Sequence, residues 1–444
     1  MNLIYRVFAL TLLGSQTFIG AQAHAWEVSE ENSISTFEIE SNSDSWGDQI
    51  SGQAVDANGA AVANADVIYG NVGYKTDAQG RFLIPGAYGR EPVLVMKAGF
   101  RKVSVHPQAG VLKVTLNRVE VRSLYLQPGF LKGENAIFKN EMNLTEETEL
   151  NAVTVDFKTD DGFVIDGLKP YVDMLHSKHV YAIARVVAFK DSHTVKLHPD
   201  WAITGLDGKP WKNKKGNTFL DPFKQEAQDY LLSVAKKAVE AGFDEIQYDY
   251  VRFPDQSNVA STAILRDANG NAIPYNPFTR TAAIQKFLST SKKAINAMGA
   301  FLAADVFGDT AFVATDSGIG QRIEDIAPYL DYVCPMVYPS GYGTDYDGIS
   351  HPEKHPAAIV GDSIKRYRAR ADKTNKDLVI RAWLQDFRGY VEKTPYGASE
   401  ISSQIEACRK NGGPSDGGFL LWNAANHYSD AGLEAKSKSE TPVL

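Results

Sequence analysis

The segment from Glu245 to Pro254 combines residue types that can carry out carboxylate chemistry. Its sequence, EIQYDYVRFP, has the pattern of an apolar strand with Asp249 near its C-terminal end and Arg252 three residues later. Aspartate is depleted in strands because burial of its carboxylate is costly. Two interpretations remain open: a buried Asp249–Arg252 pair that fixes the strand end, or an acid that belongs to a functional site.

Polar and aromatic residues also end the other strand-like segments. The acid Asp305 would complete, with Asp249, the pair of carboxyl groups that glycoside hydrolysis needs: one general acid, and one nucleophile or base. Arg252, Lys158 or Arg185 could hold one acid ionised, while an apolar setting could keep the other protonated. The residues that we expect to bind substrate are Asp156, Lys158, Asp161, Arg185, Arg252, Tyr338, Trp383, Gln385, Trp422 and Asn423.

Strand and helix patterns alternate over residues 119–432, and this order predicts how those side chains are brought together. Eight strand-like segments with seven helical patterns between them are what a (β/α)8 TIM barrel requires, and its active site lies at the C-terminal ends of the strands. A doubly wound open sheet is the alternative, but no glycine-rich phosphate loop follows any strand. The predicted strands are 121–126, 152–157, 180–189, 245–253, 301–307, 332–338, 378–384 and 418–422. The predicted helices are 132–149, 166–178, 222–241, 279–298, 320–328, 355–372 and 398–411.

Residues 49–118 have a different pattern, in which short runs rich in Val, Ile and Tyr alternate with turn pairs such as Asn58-Gly59 and Pro85-Gly86. This pattern predicts a small antiparallel β-sandwich with strands near 50–55, 65–69, 81–84, 91–97 and 111–116. The string YKTDAQGRFLIP at 74–85 resembles the carboxypeptidase regulatory-like domain, an immunoglobulin-like β-sandwich. The resemblance implies a structural or adhesive module.

The first 25 residues have the pattern of a secretory signal peptide. Arg6 precedes an apolar run at 7–13, and Ala23-His24-Ala25 forms a small-x-small cleavage site. The run is too short to span a membrane. Residues 26–48 contain no Lys or Arg and predict a flexible acidic leader, and residues 433–444 a C-terminal tail. We therefore expect export to the periplasm or the extracellular space of a bacterium.

The composition narrows the possible partners. A formal net charge of −8 argues against nucleic acid, and 43% apolar with 23% charged residues is ordinary for a globular protein. No membrane span is predicted. The two cysteines, Cys334 and Cys408, lack a metal-ligand spacing, so we expect no metal site. Cys334 lies in an apolar strand pattern, which favours a buried free thiol.

Residues 119–431 resemble the putative glycoside hydrolase domain family, which is known mainly from bacterial sequences. The strings that carry the resemblance, in family order, are AVTVDFKTDDG at 152–162, IARVVAFKD at 183–191, DYVRFP at 249–254, ADVFG at 304–308, CPMVYPS at 334–340, WLQDF at 383–387 and LLWN at 420–423. The resemblance implies a TIM-barrel glycosidase fold. Acids after strands four, five and seven, here Asp249, Asp305 and Asp386, are similar to those of alpha-amylase-like enzymes, although strand five offers Asp where that group usually has Glu.

The sequence therefore predicts an exported glycoside hydrolase that needs no cofactor and acts on a polysaccharide or oligosaccharide. Asp249 is the predicted nucleophile or base, Asp305 the predicted general acid, and Asp386 the residue that orients the sugar. Tyr338, Trp383 and Trp422 are predicted to stack on the apolar C–H faces of sugar rings. Two alternatives remain: a non-catalytic carbohydrate-binding protein of the envelope that docks through the sandwich, and a role of the sandwich in surface attachment.

Overall fold

The architecture comes from a computed structural model that describes residues 49–86, 91–107, 110–131, 135–255, 259–267, 270–413, 418–437 and 442–444. The predicted signal peptide and the acidic leader, residues 1–48, lie outside the described residues.

Seven short strands at the start of the described chain form two facing sheets. They are β1 (Gln49–Asp56), β2 (Asp66–Tyr69), β3 (Val72–Lys75), β4 (Arg81–Pro85), β5 (Val93–Met96), β6 (Val103–Val105) and β7 (Leu112–Leu116). The sheet orders are β4-β1-β7 and β3-β2-β5-β6. Alternate side chains of β4 and β7 are buried in a core that both sheets share, which is the expected pattern of a sandwich. The predicted sandwich is confirmed, but β1 and β7 pair in parallel, so the prediction of a fully antiparallel sandwich was wrong.

The remaining strands include those of a closed parallel barrel, which was predicted. They are β8 (Ser123–Leu126), β9 (Ala152–Lys158), β10 (Tyr181–Val187), β11 (Thr204–Gly205), β12 (Glu245–Asp249), β13 (Ala263–Ile264), β14 (Phe301–Phe307), β15 (Tyr332–Val337), β16 (Asp345–Tyr346), β17 (Ile349–Ser350), β18 (Val379–Ile380), β19 (Trp383–Gln385) and β20 (Leu420–Trp422). The ring order is β8-β9-β10-β12-β14-β15-β19-β20, and β20 pairs with β8 to close it. β18 and β19 are two parts of the seventh strand, whereas β11 with β13 and β16 with β17 form small ribbons outside the ring.

The helices of the described segments lie on the outer face of the barrel or in the loops between its strands. They are α1 (Ala136–Glu147), α2 (Lys169–Ser177), α3 (Ser192–Leu197), α4 (Gln225–Glu240), α5 (Val259–Thr262), α6 (Pro277–Ala297), α7 (Ile323–Ile326), α8 (Pro356–Ala371) and α9 (Ala398–Asn411). Apolar faces of the helices pack on outward side chains of the strands; Tyr248 of β12, for example, contacts Phe287 of α6 with 4.8 Å between ring centroids. Among the helices of the described segments, none combines the length and the apolar character that a membrane crossing requires.

Two local irregularities set the directions of side chains at the upper, C-terminal end of the barrel. β12 was predicted to continue to residue 253 but ends at Asp249, because Tyr250 has a left-handed backbone with φ of 49°. In β9, the register against β10 slips by one residue between the pairs Arg185–Asp156 and Val186–Lys158. Such a bulge breaks the alternation of side chains between the two faces of the strand.

The sandwich packs against the lower, N-terminal end of the barrel. Met96 of β5 is fully buried in one apolar cluster with Tyr181, Phe301 and Tyr332, the first residues of three barrel strands. Polar contacts surround this cluster; Lys102 Nζ, for example, lies 2.9 Å from the carboxylate of Asp244. The C-terminal ends of the strands are at the opposite end of the barrel from this contact.

A buried ion pair occupies the barrel interior just above the sandwich. Arg381 pairs with Glu245, and both side chains are fully buried. Tyr181 donates a hydrogen bond of 3.3 Å to the same Glu245 carboxylate, and the Arg381 guanidinium lies 4.4 Å from the centroid of the Tyr332 ring. Cys334 lies beside Arg381 as a buried free thiol, which confirms the prediction for this cysteine.

Candidate active site

A cavity of about 390 Å³ opens at the C-terminal ends of the barrel strands, and each of the eight strand positions contributes to its wall. Parallel strands in a closed ring direct their ends to one rim, so residues far apart in sequence meet there. The predicted residues that the structure brings together at this wall are Asp156, Asp161, Arg185, Asp249, Arg252, Asp305, Tyr338, Trp383 and Trp422.

Arg185 is the electrostatic centre of the cavity. Its Nη1 donates to Asp156 over 2.6 Å, its Nη2 donates to Asp160 over 2.9 Å, and its Nε and Nη2 donate to Oδ2 of Asp249 over 3.0 and 2.5 Å. Burial lowers the pKa of the Arg185 guanidinium, but the three carboxylates raise that pKa well above its ordinary value. Arg185 therefore remains charged and holds three acids in place.

Asp249 accepts hydrogen bonds on both oxygens of its carboxyl group. Arg185 contacts Oδ2, and Oδ1 accepts a 2.6 Å hydrogen bond from the backbone N–H of Tyr250. The left-handed backbone of Tyr250 lets its N–H point back at the preceding side chain.

Arg252 has a different environment from the one that the sequence suggested. Its guanidinium lies between the rings of Tyr250 and Phe307, at 4.9 and 4.6 Å from their centroids, and Nη1 donates to the carbonyl of Phe253 over 2.9 Å. Asp249 takes its cationic partner from the neighbouring strand β10 instead. The interpretation of an Asp249–Arg252 pair at the strand end was therefore wrong, and Arg252 lines the cavity.

Asp305 is in an environment that favours the neutral acid. Burial raises its pKa well above the ordinary value, and the negative charge of Asp249 raises it further, while Arg185 acts in the opposite direction. Its carboxyl is 2% exposed, and Oδ1 accepts a 2.8 Å hydrogen bond from Nε1 of Trp383. The two candidate carboxyl groups of the cavity thus have different partners: Asp249 contacts Arg185, and Asp305 contacts the indole N–H of Trp383.

Two further acids complete the charged side of the cavity. Burial raises the pKa of Asp156, whose Oδ2 accepts a 2.7 Å hydrogen bond from the Tyr125 hydroxyl. Burial alone would also raise the pKa of Asp160, but Arg185 and Lys190 together hold it below its ordinary value. Asp161 is exposed at the rim.

Aromatic rings form the opposite side. Trp422 stacks on Tyr125 with centroids 4.3 Å apart, and it is half-buried at the cavity wall. Trp383 contacts Trp422 edge-on, with ring centroids 5.5 Å apart. Because Trp383 is only 1% exposed, it offers little surface for stacking on a sugar. Its indole N–H is instead the donor to Asp305. Tyr338 is half-buried at the same wall.

Lys158 is a predicted site residue that the structure does not place at the cavity. The bulge in β9 turns its side chain outward, where its Nζ lies 2.8 Å from Oδ2 of Asp191 and donates to the carbonyl of Val187 over 2.7 Å. Both members of this ion pair are fully buried. Lys158 thus stabilises Asp191, the residue before α3, and does not contribute its charge to the cavity.

Gln385, Asp386 and Asn423 also lie away from the cavity wall. The Gln385 side chain is buried and bonds both the backbone N–H and the hydroxyl of Ser340. Asp386 lies two residues after Leu384, whose side chain faces outward, so strand alternation directs Asp386 away from the barrel interior as well. Burial raises the pKa of the Asp386 carboxyl to about 7. Asn423 donates to the carbonyl of Asp386 over 2.6 Å. These three residues link the loops after β15, β19 and β20, and Asp386 is not among the residues that line the cavity.

Other residues of the wall were not predicted: Tyr125, Gln127, Thr159, Asp160, Tyr250, Phe307, Met336 and Ala424. For Tyr125, Phe307 and Met336, alternation along the strands was the available signal, since each lies two residues from another inward side chain. The position of Tyr250 depends on its left-handed backbone, which no Gly or Pro at this point of the chain indicates.

Comparison with solved structures agrees with the barrel. The PgaB (BpsB) glycoside hydrolase domain of Bordetella bronchiseptica superposes with a TM-score of 0.52 at 12% identity over 72% of this chain and 100% of that chain, which shows a shared fold. A hypothetical protein of Ruminiclostridium thermocellum is 28% identical over 41% of this chain and 97% of its own, with a TM-score of 0.35. An alpha-galactosidase of Thermus thermophilus covers 81% of this chain and 72% of its own at 14% identity and a TM-score of 0.43. No curated protein sequence matches the chain.

The family comparison covers the larger part of the barrel. The matched residues, 163–428, start after β9, so Asp156 and its partner Tyr125 precede the match, whereas Arg185, Asp249 and Asp305 lie within it. Because more than half of the chain matches, the protein belongs to the family described as "putative glycosyl hydrolase domain".

Proposed function

We propose that the protein hydrolyses glycosidic bonds in a polysaccharide, with Asp305 as the general acid and Asp249 as the nucleophile or base. The observation that carries the proposal is the contrast between these two acids in one cavity. Asp249 accepts hydrogen bonds from Arg185 and from a backbone N–H, whereas burial and the charge of Asp249 raise the pKa of Asp305 well above its ordinary value. Glycoside hydrolysis needs one carboxyl group that donates a proton and a second that acts as nucleophile or base.

The reaction begins with proton transfer from Asp305 to the glycosidic oxygen as the bond to the anomeric carbon breaks. Asp249 then attacks that carbon or takes a proton from the attacking water. Asp305 becomes negatively charged in this step, and the indole N–H of Trp383, 2.8 Å from its Oδ1, stabilises the new charge. Arg185 limits the repulsion between the two acids because it contacts Asp249 directly.

The walls of the cavity suit a sugar. Trp422, backed by Tyr125, offers a ring face for the apolar C–H side of a pyranose. Asp161, Arg252 and Tyr338 also line the cavity and supply charged and polar groups that can bond sugar hydroxyls. Asp386 is left out of the proposed mechanism because its carboxyl does not line the cavity. Export, supported by the signal-peptide pattern of residues 1–25, would give the protein access to polysaccharides outside the cell.

Release of reducing ends from a panel of polysaccharides tests the proposal. Wild-type protein should degrade at least one of them, and Asp249→Asn and Asp305→Asn should each lower the rate by a factor of about 100 or more, since each removes an acid–base or nucleophilic function. Circular dichroism should show both variants folded.

Two results would contradict the proposal. If either variant kept wild-type activity, the role of that acid would be wrong. If wild-type protein bound a polysaccharide and released no reducing ends, the alternative of a carbohydrate-binding envelope protein would replace hydrolysis.

A further inference from the structure

We infer that the substrate is an extended sugar chain that crosses the mouth of the barrel and is held beyond the cavity by Phe163 on one side and Tyr390 on the other. This inference rests on the proposed function and extends it to the length of the substrate and to cleavage within the chain. Both rings are about half exposed, at 51% and 54%, although large aromatic side chains usually bury most of their surface.

Phe163 is presented by a rigid turn that is continuous with the cavity wall. Two hydrogen bonds between Thr159 and Phe163 close the turn. The Thr159 N–H donates to the Phe163 carbonyl over 2.9 Å, and the Phe163 N–H donates to the Thr159 hydroxyl over 3.2 Å. Thr159 and the two residues that follow it line the cavity. A Cβ at Gly162 would clash with the carboxylate of Asp191. The turn therefore packs closely against the residues that follow β10.

A second ring extends the surface at Phe163. His193, at the start of α3, lies against it with 4.3 Å between ring centroids, and its backbone N–H donates to the carbonyl of Asp161 over 2.9 Å. Phe163 therefore remains exposed in a fixed position, next to an acid of the cavity rim.

Tyr390 ends an aromatic track that starts inside the cavity. Tyr338 of the cavity wall meets Phe387 edge-on at 5.7 Å, and the Phe387 ring is parallel to that of Tyr390, with an interplanar angle of 4° and centroids 6.5 Å apart. The successive rings lead from the buried acids to the protein surface.

The loop that carries Tyr390 is fixed from below by Glu353. This fully buried carboxylate accepts hydrogen bonds from the N–H groups of Val391 and Glu392 over 3.1 and 2.5 Å, and from the Ser340 hydroxyl over 2.7 Å. A Cβ at Gly389 would clash with the same carboxylate. The loop is thus tied to the barrel on both sides of Tyr390, and no large rearrangement is needed to present its ring.

The two surfaces lie on opposite sides of the cavity mouth. Phe163 and His193 follow β9 and β10, whereas the Tyr390 loop follows β19 and places the Tyr390 hydroxyl beside Gly341 in the loop after β15. In the ring of eight strands, β15 lies directly across from β9, four positions away, and β19 lies directly across from β10. A chain that contacts both rings must pass over Asp249 and Asp305 between them.

This arrangement favours cleavage inside a chain. A sugar ring has an apolar C–H face that an aromatic side chain can cover without recognising a particular hydroxyl. With one such surface on each side of the acids, sugar units on both sides of the broken bond gain binding energy. An enzyme that removes terminal units needs these contacts on one side.

Affinity electrophoresis tests this inference without turnover. The parent is Asp305→Asn, run in native gels that contain soluble starch, xylan, galactan or chitosan. At least one of these should retard the parent, and adding Phe163→Ala and Tyr390→Ala should weaken that retardation, with an apparent dissociation constant raised roughly tenfold or more. Phe163→Tyr with Tyr390→Phe should preserve it, because both rings are kept. Phe278→Ala is the matched control, since Phe278 is 81% exposed at the start of α6 and does not line the cavity.

Each outcome decides the matter. Unchanged retardation of the alanine variant would overturn the inference even if wild-type protein hydrolyses the same polysaccharide, and so would a parent that none of the four polysaccharides retards. Retardation that the alanine variant loses, together with no release of reducing ends by wild-type protein, would support the chain-binding surfaces and contradict the proposed hydrolysis.

Discussion

At the scale of single residues, one guanidinium organises the chemistry. Arg185 contacts Asp156, Asp160 and Asp249 from a position that is 4% exposed. Charges this close and this shielded from water interact much more strongly than exposed pairs do. Asp305 lacks such a contact and instead faces burial and the charge of Asp249, both of which raise its pKa. Two identical side chains thus have different electrostatic environments because their neighbours differ.

The hydrogen bond from Trp383 to Asp305 gives a prediction about pH. Removing the indole N–H by Trp383→Phe takes away a contact that stabilises the charged form of Asp305, so the pKa of Asp305 should rise further. Activity requires protonated Asp305, so activity is lost as the pH rises through the pKa of Asp305. The alkaline limb of the kcat/KM profile should therefore move to higher pH in Trp383→Phe. Trp422→Phe is the control, because Trp422 contacts Trp383 and Tyr125 in the same wall; an equal shift in both variants, or none in Trp383→Phe, would contradict the assignment.

The sequence allowed the acids to be predicted, but it left their cationic partner open among Arg252, Lys158 and Arg185. Asp249 and Asp305 could be placed at strand ends because an apolar pattern identifies the strand and the barrel identifies the end that matters. Arg252 was the nearest base in sequence, yet Arg185 is the partner of Asp249, since adjacent strands place side chains closer together than three residues of irregular chain do. Contacts between strands depend on register, and a single sequence does not give the register.

At the scale of elements, two irregularities decide which side chains reach the cavity. The bulge in β9 turns Lys158 outward, and the left-handed residue after β12 directs the Tyr250 N–H to Asp249. The regular parts were predictable: β14 and α9 have the predicted bounds, and most other elements end within a few residues of them. The bulge and the left-handed residue were not, since Phe157 and Tyr250 are ordinary residues for a strand and no Gly or Pro marks either position.

The outward position of Lys158 gives a prediction at this scale. Lys158→Met leaves the Asp191 carboxylate buried without its cation, which should lower the free energy of unfolding by about 3–5 kcal/mol. Activity of the remaining folded protein should stay close to wild type, because neither residue lines the cavity. Lys158→Met with Asp191→Asn should recover part of the lost stability. Denaturant unfolding and kcat/KM, measured on the same samples, distinguish this structural role from the substrate-binding role that the sequence suggested; a large fall in kcat/KM at unchanged stability would favour the latter.

At the scale of the whole molecule, the sandwich closes the lower end of the barrel. Met96 and Ala98 of the sandwich share an apolar cluster with the first residues of the barrel strands, and the ion pair of Lys102 with Asp244 supports the contact. The existence of both domains was predictable from their different patterns. The contact between the domains was not predictable, because the core of an isolated sandwich would also contain an apolar residue such as Met96.

This contact predicts that the two domains unfold together. Met96→Ala should lower the free energy of unfolding by about 2–5 kcal/mol, as expected for a fully buried side chain. The effect should appear in the fluorescence of the barrel tryptophans, Trp201, Trp211, Trp383 and Trp422. Leu83→Ala, on the exposed face of β4, is the control and should change little. A Met96→Ala variant whose tryptophan transition matched that of wild type would show that the barrel is stable without the sandwich.

The central claim, that Asp305 donates the proton while Asp249 attacks or activates water, is tested most directly by the dependence of kcat/KM on the leaving group. Two glycosides of the sugar found in the polysaccharide panel serve as substrates: a dinitrophenyl glycoside, whose leaving group needs no proton, and a simple alkyl glycoside, whose leaving group does. Asp305→Asn should retain most of its activity on the first and lose a factor of about 100 or more on the second, whereas Asp249→Asn should lose at least that factor on both. Equal losses on both substrates in Asp305→Asn, or activity of Asp249→Asn on either one, would contradict the account.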